Sequence, residues 1–196
     1  MRTGLFFGSF NPIHIGHLAI ANYMLAYTDI EELWFVVSPH NPFKKRHNLL
    51  GENDRLHIVN LAIDNYPGFG SCNIEFRMPK PSYTIDTLVR LADKHPKRKF
   101  ALIMGSDNLE QFQKWKNSDA IVANYHRYIY PRLETPPQFL KNIPNATIVD
   151  APLMEISSSF IRKAIAEGKD VPFFLNNKVN QYIKEMNFYR KSYKNE

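Results

Sequence analysis

The sequence predicts an α/β fold in which a doubly wound parallel sheet carries helices on both faces, and three observations predict it. Apolar runs of strand length alternate with segments of helical spacing along nearly the whole chain, the pattern of parallel strands joined by helical crossovers. No internal repeat or low-complexity linker interrupts that alternation. Segments rich in Gly, Ser, Asn and Pro follow the strand-like runs, and ligands of open α/β sheets bind beyond the carboxyl ends of strands. With 196 residues and 44% hydrophobic content the chain suits one domain, 1–196, with the helical segment 157–196 packed on it as a C-terminal cap.

The first strand is the apolar run Gly4-Leu5-Phe6-Phe7, which stops at Gly8-Ser9-Phe10-Asn11-Pro12. A helix follows from His14 to Thr28, with Leu18, Ala21, Leu25 and Ala26 at helical spacing. A strand ending in Gly-Ser with a helix start just beyond makes a concave anion site, because unpaired amides and the helix dipole both favour negative charge. Phosphate is its natural occupant, held by the Gly8, Ser9 and Phe10 backbone. His14 and His17 fall on neighbouring positions of one helix face, and both can donate to phosphoryl oxygens. Gly16 between them leaves room for a flat ring to approach the backbone. Taken singly, each His reads more readily as a cap or surface residue, and Gly8 to Pro12 as an ordinary turn.

Glu32 to Val37 reads as a second, buried strand opening into the Pro-rich basic loop Ser38 to Lys45. That loop lies over the same crevice as His14 and His17, which makes Lys44 a phosphate ligand or a solvated loop charge. Glu52 to Tyr66 is a helix with Leu56, Val59, Ala62 and Ile63 on one face, ended by Pro67-Gly68. Cys72 to Phe76 is a short third strand, broken by Pro79-Lys80-Pro81. Ser82 then stands as an N-cap before a helix that begins at Tyr83-Thr84-Ile85 and runs to about His95.

Lys99 to Met104 is the fourth strand, and Gly105-Ser106-Asp107-Asn108 follows at its carboxyl end. Gly105 allows close approach, and Asp107 can accept from ribose or substrate hydroxyls. The next helix, from about Asn108, carries Leu109, Phe112 and Trp115, a spacing at which a Trp is a core or half-buried ring. His126 to Tyr130 is the fifth strand, closed by Arg132, and Asn145 to Val149 the sixth. Ile156-Ser157-Ser158-Ser159-Phe160-Ile161-Arg162 opens a helix ending at Gly168. Three hydroxyls at a helix start and an Arg one turn on offer amide, hydroxyl and guanidinium donors to one anion, although a single Ser would serve as N-cap. Val171 to Leu175 and a helix from Lys178 to Phe188 close the chain.

The run Gly8-Ser9-Phe10-Asn11-Pro12-Ile13-His14-Ile15-Gly16-His17 resembles the signature of the nucleotidyltransferase superfamily, and specifically that of the bacterial nicotinate mononucleotide adenylyltransferases. It departs from the usual pattern at Phe7, where a second Gly is common, and at Asn11, where Asp is common. Ile156 to Arg162 matches the second phosphate motif of that family residue for residue. The resemblance covers nearly the whole chain and implies a Rossmann-like sheet and adenylyl transfer from ATP to a pyridine mononucleotide. It implies that His14 and His17 hold the α- and β-phosphate region, and that Ser157, Ser158 and Arg162 hold the departing β- and γ-phosphates.

The same resemblance implies that amides around Tyr83 and Thr84 hold the pyridine carboxylate and that Trp115 stacks on the pyridine ring. Arg132, in Tyr130-Pro131-Arg132, stands where the family more often has Arg-Pro-Gly. Mg²⁺ is expected to arrive with ATP, since the chain offers no clustered carboxylates for a dedicated cage. The alternatives are a related small nucleotidyltransferase of the pantetheine phosphate adenylyltransferase type, or a non-catalytic nucleotide-binding regulator.

Composition narrows the setting. The formal net charge of +6 is spread over separate clusters, Lys44-Lys45-Arg46, Lys97-Arg98-Lys99 and the tail after Arg190, rather than one stripe, which suits phosphate ligands better than nucleic acid. The one cysteine, Cys72, excludes an intrachain disulfide framework. No signal-peptide core or bilayer-spanning run is present, so a cytoplasmic protein without membrane contact is expected, its oligomeric state open.

Overall fold

The computed structural model describes residues 1–39, 49–64, 66–133, 135–136 and 142–190. Its centre is an all-parallel sheet of β1 (Arg2–Gly8), β2 (Glu32–Val37), β3 (Phe69–Cys72), β4 (Lys99–Gly105), β5 (His126–Tyr130) and β6 (Ala146–Ile148), in the order β3-β2-β1-β4-β5-β6. The order reverses between β1 and β4, which opens a crevice at their carboxyl ends. Gly8 pairs with Val37 and Gly105 with Tyr130, so the strand ends that carry the polar loops lie level with one another.

Burial on both faces explains why these strands read as continuous apolar runs. Successive residues point to opposite faces: Phe6, Phe35 and Ile103 to one core, Leu5, Val36 and Leu102 to the other. The first core takes α1 (Ile15–Tyr27) through Ile20, Ala21 and Met24, and α2 (Glu52–Ile63) through Ile58 and Val59. α6 (Ser158–Ala166) and α7 (Asn177–Glu185) join it through Ile161, Val179 and Ile183. The second core takes α3 (Thr84–Lys94) through Ile85, Leu88 and Leu91, the single turn α4 (Leu109–Phe112) through Phe112, and α5 (Ser118–Asn124) through Ile121. Among the described residues no helix is long and apolar enough to cross a membrane.

Several elements depart from the sequence expectation. The third strand lies at Phe69–Cys72, not Cys72 to Phe76, with Phe69 packed edge-on to Phe35 at 5.4 Å between ring centroids. Ile74–Arg77 is instead a 3-10 turn that buries Glu75, whose carboxylate accepts from Ser82 Oγ and Thr87 Oγ1, both at 2.8 Å. Ser82 therefore does not cap α3; Tyr83 takes the N-cap position without a side-chain bond. α2 stops at Ile63 because Asp64 turns left-handed, with φ 38°, ahead of Tyr66. The helix expected from Asn108 is broken, and Trp115 lies in the turn between α4 and α5, where Asn117 has φ 50°. α7 ends at Glu185, short of Phe188, and starts where Asn176 accepts from Lys178 N–H at 2.9 Å.

Candidate active site

The crevice between β1 and β4 begins at the start of α1. His14 is the N-cap residue, in extended backbone at φ −143°, and its carbonyl accepts the His17 N–H at 2.9 Å. Its own N–H donates to His17 Nδ1 at 3.3 Å, and the two imidazoles lie 3.8 Å apart between centroids. His14 is only 4% exposed, and a Cβ at position 16 would stand 3.0 Å from its Nδ1. The flat ring for which Gly16 makes room is thus that of His14 itself, where the sequence suggested a ligand's. His17 is half-buried and meets the edges of Phe6 and Phe10, at 6.0 and 5.2 Å between centroids. Phe10 is buried at φ 44°, its ring lying where a Cβ at Gly8 would come within 2.8 Å. Its backbone, not its ring, is the part that can face a ligand.

His14, Gly16 and His17 line a narrow crevice together with Tyr130, Arg132 and Ile156. Arg132 donates from Nη1 to Met154 O at 3.2 Å and lies over the Tyr130 ring at 5.4 Å, with Asp107 at 4.0 Å from its Nε. Its backbone N–H is held by Ser106 Oγ at 2.8 Å. Burial, aided by the Arg132 charge, holds the His14 imidazole down to about 4, so it is neutral at neutral pH. Asp107, at the end of β4 past Gly105, is exposed at the crevice rim.

The start of α6 lies beside the start of α1. Ile156, just ahead of it, comes within 3.7 Å of the Cβ that Gly16 lacks. Ser157 is the N-cap, accepting from Phe160 N–H at 3.1 Å. Ser158 Oγ donates to Pro12 O at 2.8 Å, and Arg162 donates to Asn11 O at 2.8 Å and to Ser159 Oγ at 3.2 Å. The two phosphate motifs of the sequence, some 140 positions apart, are therefore bonded to each other.

Arg55 completes this arrangement, and sequence reading missed it. Fully buried on α2, it donates to Ser9 O at 2.6 Å, Ser38 O at 2.8 Å, Leu50 O at 3.0 Å and Pro39 O at 3.1 Å. Burial pulls its guanidinium below the ordinary arginine range. One side chain thus fixes the loops after β1 and β2, a role without a signature in a helix whose apolar periodicity it merely interrupts.

On the other face of the sheet, the start of α3 and the α4–α5 turn come together. Lys116 pairs with Asp86 at 2.8 Å and lies over the Tyr83 ring at 5.0 Å, bringing the segment of Trp115 against Tyr83 and Thr84. Trp115 is half-buried and leans on Phe112 at 5.3 Å between centroids. Lys44 lies outside the described residues. Among the described residues, no group of three or more His, Cys, Asp or Glu side chains is arranged to hold a metal ion.

Known proteins place this geometry in a wider set. The sequence profile of the cytidylyltransferase-like family matches residues 5–164. The chain is 50% identical over 194 residues to the probable nicotinate-nucleotide adenylyltransferase of Flavobacterium psychrophilum, covering 97% of this chain and 100% of that protein. Its counterpart from Cytophaga hutchinsonii is 48% identical over 189 residues, covering 96% and 98%. The fold is shared with the nicotinic acid mononucleotide adenylyltransferase of Plasmodium falciparum complexed with NaAD, at a TM-score of 0.79 and 21% identity, covering 96% of this chain and 97% of that one.

Proposed function

Since this chain belongs to the nicotinate-nucleotide adenylyltransferases of the cytidylyltransferase-like family, we propose that it transfers the adenylyl group of ATP to nicotinate mononucleotide, giving nicotinate adenine dinucleotide and pyrophosphate in NAD biosynthesis. The observation that carries the reading is the side-by-side meeting of the α1 and α6 starts at the point where the strand order reverses. Two helix N-termini there can grip one triphosphate along its length.

The acceptor phosphate attacks the α-phosphorus in line, a new P–O bond forms, and the bond to the bridging oxygen breaks as pyrophosphate leaves with its electron pair. No covalent enzyme intermediate is needed, so catalysis is positioning and charge stabilisation. His17 and His14 serve the α- and β-phosphate oxygens, with His14 neutral and able to donate one hydrogen bond. Arg132, in the same crevice, adds positive charge on the phosphate side. The α6 amides, with Arg162, take the departing phosphates, and Gly105 and Asp107 border the ribose. At the start of α3, amides around Thr84 suit the pyridine carboxylate, with Trp115 beside them for the ring, and Lys44 is a further candidate for the substrate. Mg²⁺ enters as part of the MgATP substrate. A cytoplasmic setting suits the free, buried thiol of Cys72.

Pyrophosphate release from ATP, measured with nicotinate mononucleotide, nicotinamide mononucleotide and phosphopantetheine as acceptors, tests the proposal. The highest kcat/KM is expected with the nicotinate compound, because the two mononucleotides are nearly isosteric and only charge distinguishes them at a helix start. Preference for phosphopantetheine would move the chain to that related activity, and no release with any acceptor would indicate a nucleotide-binding regulator.

A further inference from the structure

The last described residues of the chain reach the back of the first loop. Tyr189, beyond α7, is 4% exposed, and its hydroxyl donates to Asn11 Oδ1 at 2.9 Å. The same oxygen accepts the Leu50 N–H at 3.3 Å, just ahead of α2, and the Asn11 carbonyl accepts Arg162 at 2.8 Å. Asn11 is therefore where the first loop, the approach to α2, α6 and the C-terminal segment meet. Its side-chain oxygen takes two donors, one for each lone pair.

Backbone strain gathers at the same point. Phe10 has φ 44° and Tyr189 has φ 66°, both in the left-handed region that large side chains avoid. Such conformations are costly and persist only where surrounding contacts over-determine them. Filling the core would require only the ring of Tyr189, since burying a hydroxyl is unfavourable unless it is bonded. Burial pushes the phenol well above its usual range, against the pull of Arg162 and Arg55, so the hydroxyl stays protonated and donates.

We propose that Tyr189 is a positioning residue for adenylyl transfer: its hydroxyl fixes the Asn11 carboxamide and, through it, holds the loop from Ser9 to His14 in the shape that sets His14 and His17 in the crevice. Two unconnected ends of the chain are thereby closed on one loop, and the loop's carbonyls are turned inward: that of Ser9 to Arg55, of Asn11 to Arg162 and of Pro12 to Ser158. The inference rests on the proposed adenylyl transfer for its kinetic effect, but the bond network it names is measurable without turnover.

Tyr189→Phe keeps the ring and removes the donor. It should lower kcat/KM for ATP by about tenfold, the cost of a slightly misplaced site, while its melting temperature stays within about 2 °C of the parent. Exchange of the Leu50 amide should rise by about tenfold in the same variant. Phe188→Ala is the packing control: it should lower the melting temperature yet leave kcat/KM for ATP within about twofold, because the Phe188 ring packs on the core and beside Tyr182 and Tyr189 but has no donor to give Asn11. Tyr189→Phe with unchanged kinetics and unchanged Leu50 exchange would overturn the proposal, as would a kinetic loss equalled by Phe188→Ala. Should Tyr189→Phe not fold, or the parent chain release no pyrophosphate, exchange in the parent decides: the amides of Leu50 and His17 should open together at one free energy, and independent opening overturns the positioning role of Tyr189.

Discussion

The starts of α1 and α6 share the same backbone physics and differ in what their side chains already do. At α1 the two imidazoles lie close together and tilted in the crevice, and His14 Nδ1 is buried with no hydrogen-bond partner among the described residues. At α6 Ser157 caps the helix, Ser158 holds Pro12 O, and Arg162 joins Asn11 O to Ser159. A buried polar atom without a partner is unfavourable unless a ligand or water completes it, whereas an occupied hydroxyl has already given its contribution to stability. Substitutions at α1 should therefore act on turnover, and substitutions at α6 on stability as well as on ATP.

The largest expected effect is at α1. Charge on the α-phosphoryl oxygens grows as the acceptor attacks and pyrophosphate departs, so a fixed donor there is stronger in the transition state than in the ground state. His17→Ala should lower kcat by roughly 10²–10³-fold, about 3–4 kcal/mol, with a much smaller change in acceptor KM. Its melting temperature should fall by only a few degrees, because the half-buried ring gives edge contacts to Phe6 and Phe10, a tilted contact to His14 and one long bond, 3.3 Å, from the His14 N–H. Near-normal kcat with a lowered melting temperature would erase the contrast with α6.

His14 tests the same side through pH. Its folded value, about 4, lies below the ordinary 6.5, so the unfolded chain takes up the proton first as pH falls. The stability this neutral, buried ring contributes is thus fully present above about 6.5 and is lost progressively as pH drops towards 4, up to about 3 kcal/mol. Thermal melts from pH 7.5 to 4.5 should show the loss, and His14→Gln, which cannot titrate, should flatten the profile. An unchanged profile in that variant would mean that other groups set the acid limb.

The sequence exposes the two helix starts but not their division of labour. Strands such as Leu33 to Val37 are legible because burial on both faces leaves an unbroken apolar run. The segment Cys72 to Phe76 misleads by its alternation instead: Ile74 and Phe76 flank Glu75 as in a strand, yet Glu75 turns inward to take Ser82 and Thr87. Both phosphate motifs are readable from residue type, but that Gly16 accommodates His14 and that Ser158 and Arg162 grip Asn11 and Pro12 depends on a meeting across the chain. Arg55 and Tyr189 are invisible for that reason too, since their partners are backbone carbonyls and one amide brought from distant loops.

Arg162 should show the mixed behaviour of α6. Removing a guanidinium that donates to Asn11 O leaves a carbonyl without that partner, and hydrogen bonds to charged groups contribute about 1.5–3 kcal/mol. Arg162→Ala should therefore lose about 2 kcal/mol in denaturant unfolding and also raise KM for ATP. A variant that loses ATP affinity while keeping full stability would show that the bond to Asn11 contributes little, and α6 would then behave like α1.

The smallest effect separates cap from ligand at a single position. Ser157→Ala removes the acceptor for Phe160 N–H, which should cost about 1 kcal/mol of stability, the usual value of an N-cap. That change alone cannot say whether the start of α6 also faces a phosphate. Ser157→Asp can, because a carboxylate caps as well as a hydroxyl and also favours the helix dipole, so stability should be retained or raised slightly. Its negative charge would then stand beside the proposed β- and γ-phosphates, and like charges brought together in a partly desolvated crevice repel. KM for ATP should rise by about tenfold in Ser157→Asp, while that for nicotinate mononucleotide, whose proposed site is at the start of α3, stays within about twofold. An unchanged KM for ATP in a stable Ser157→Asp protein would leave the α6 start as a structural clamp on the first loop and assign the triphosphate to α1 and Arg132 alone.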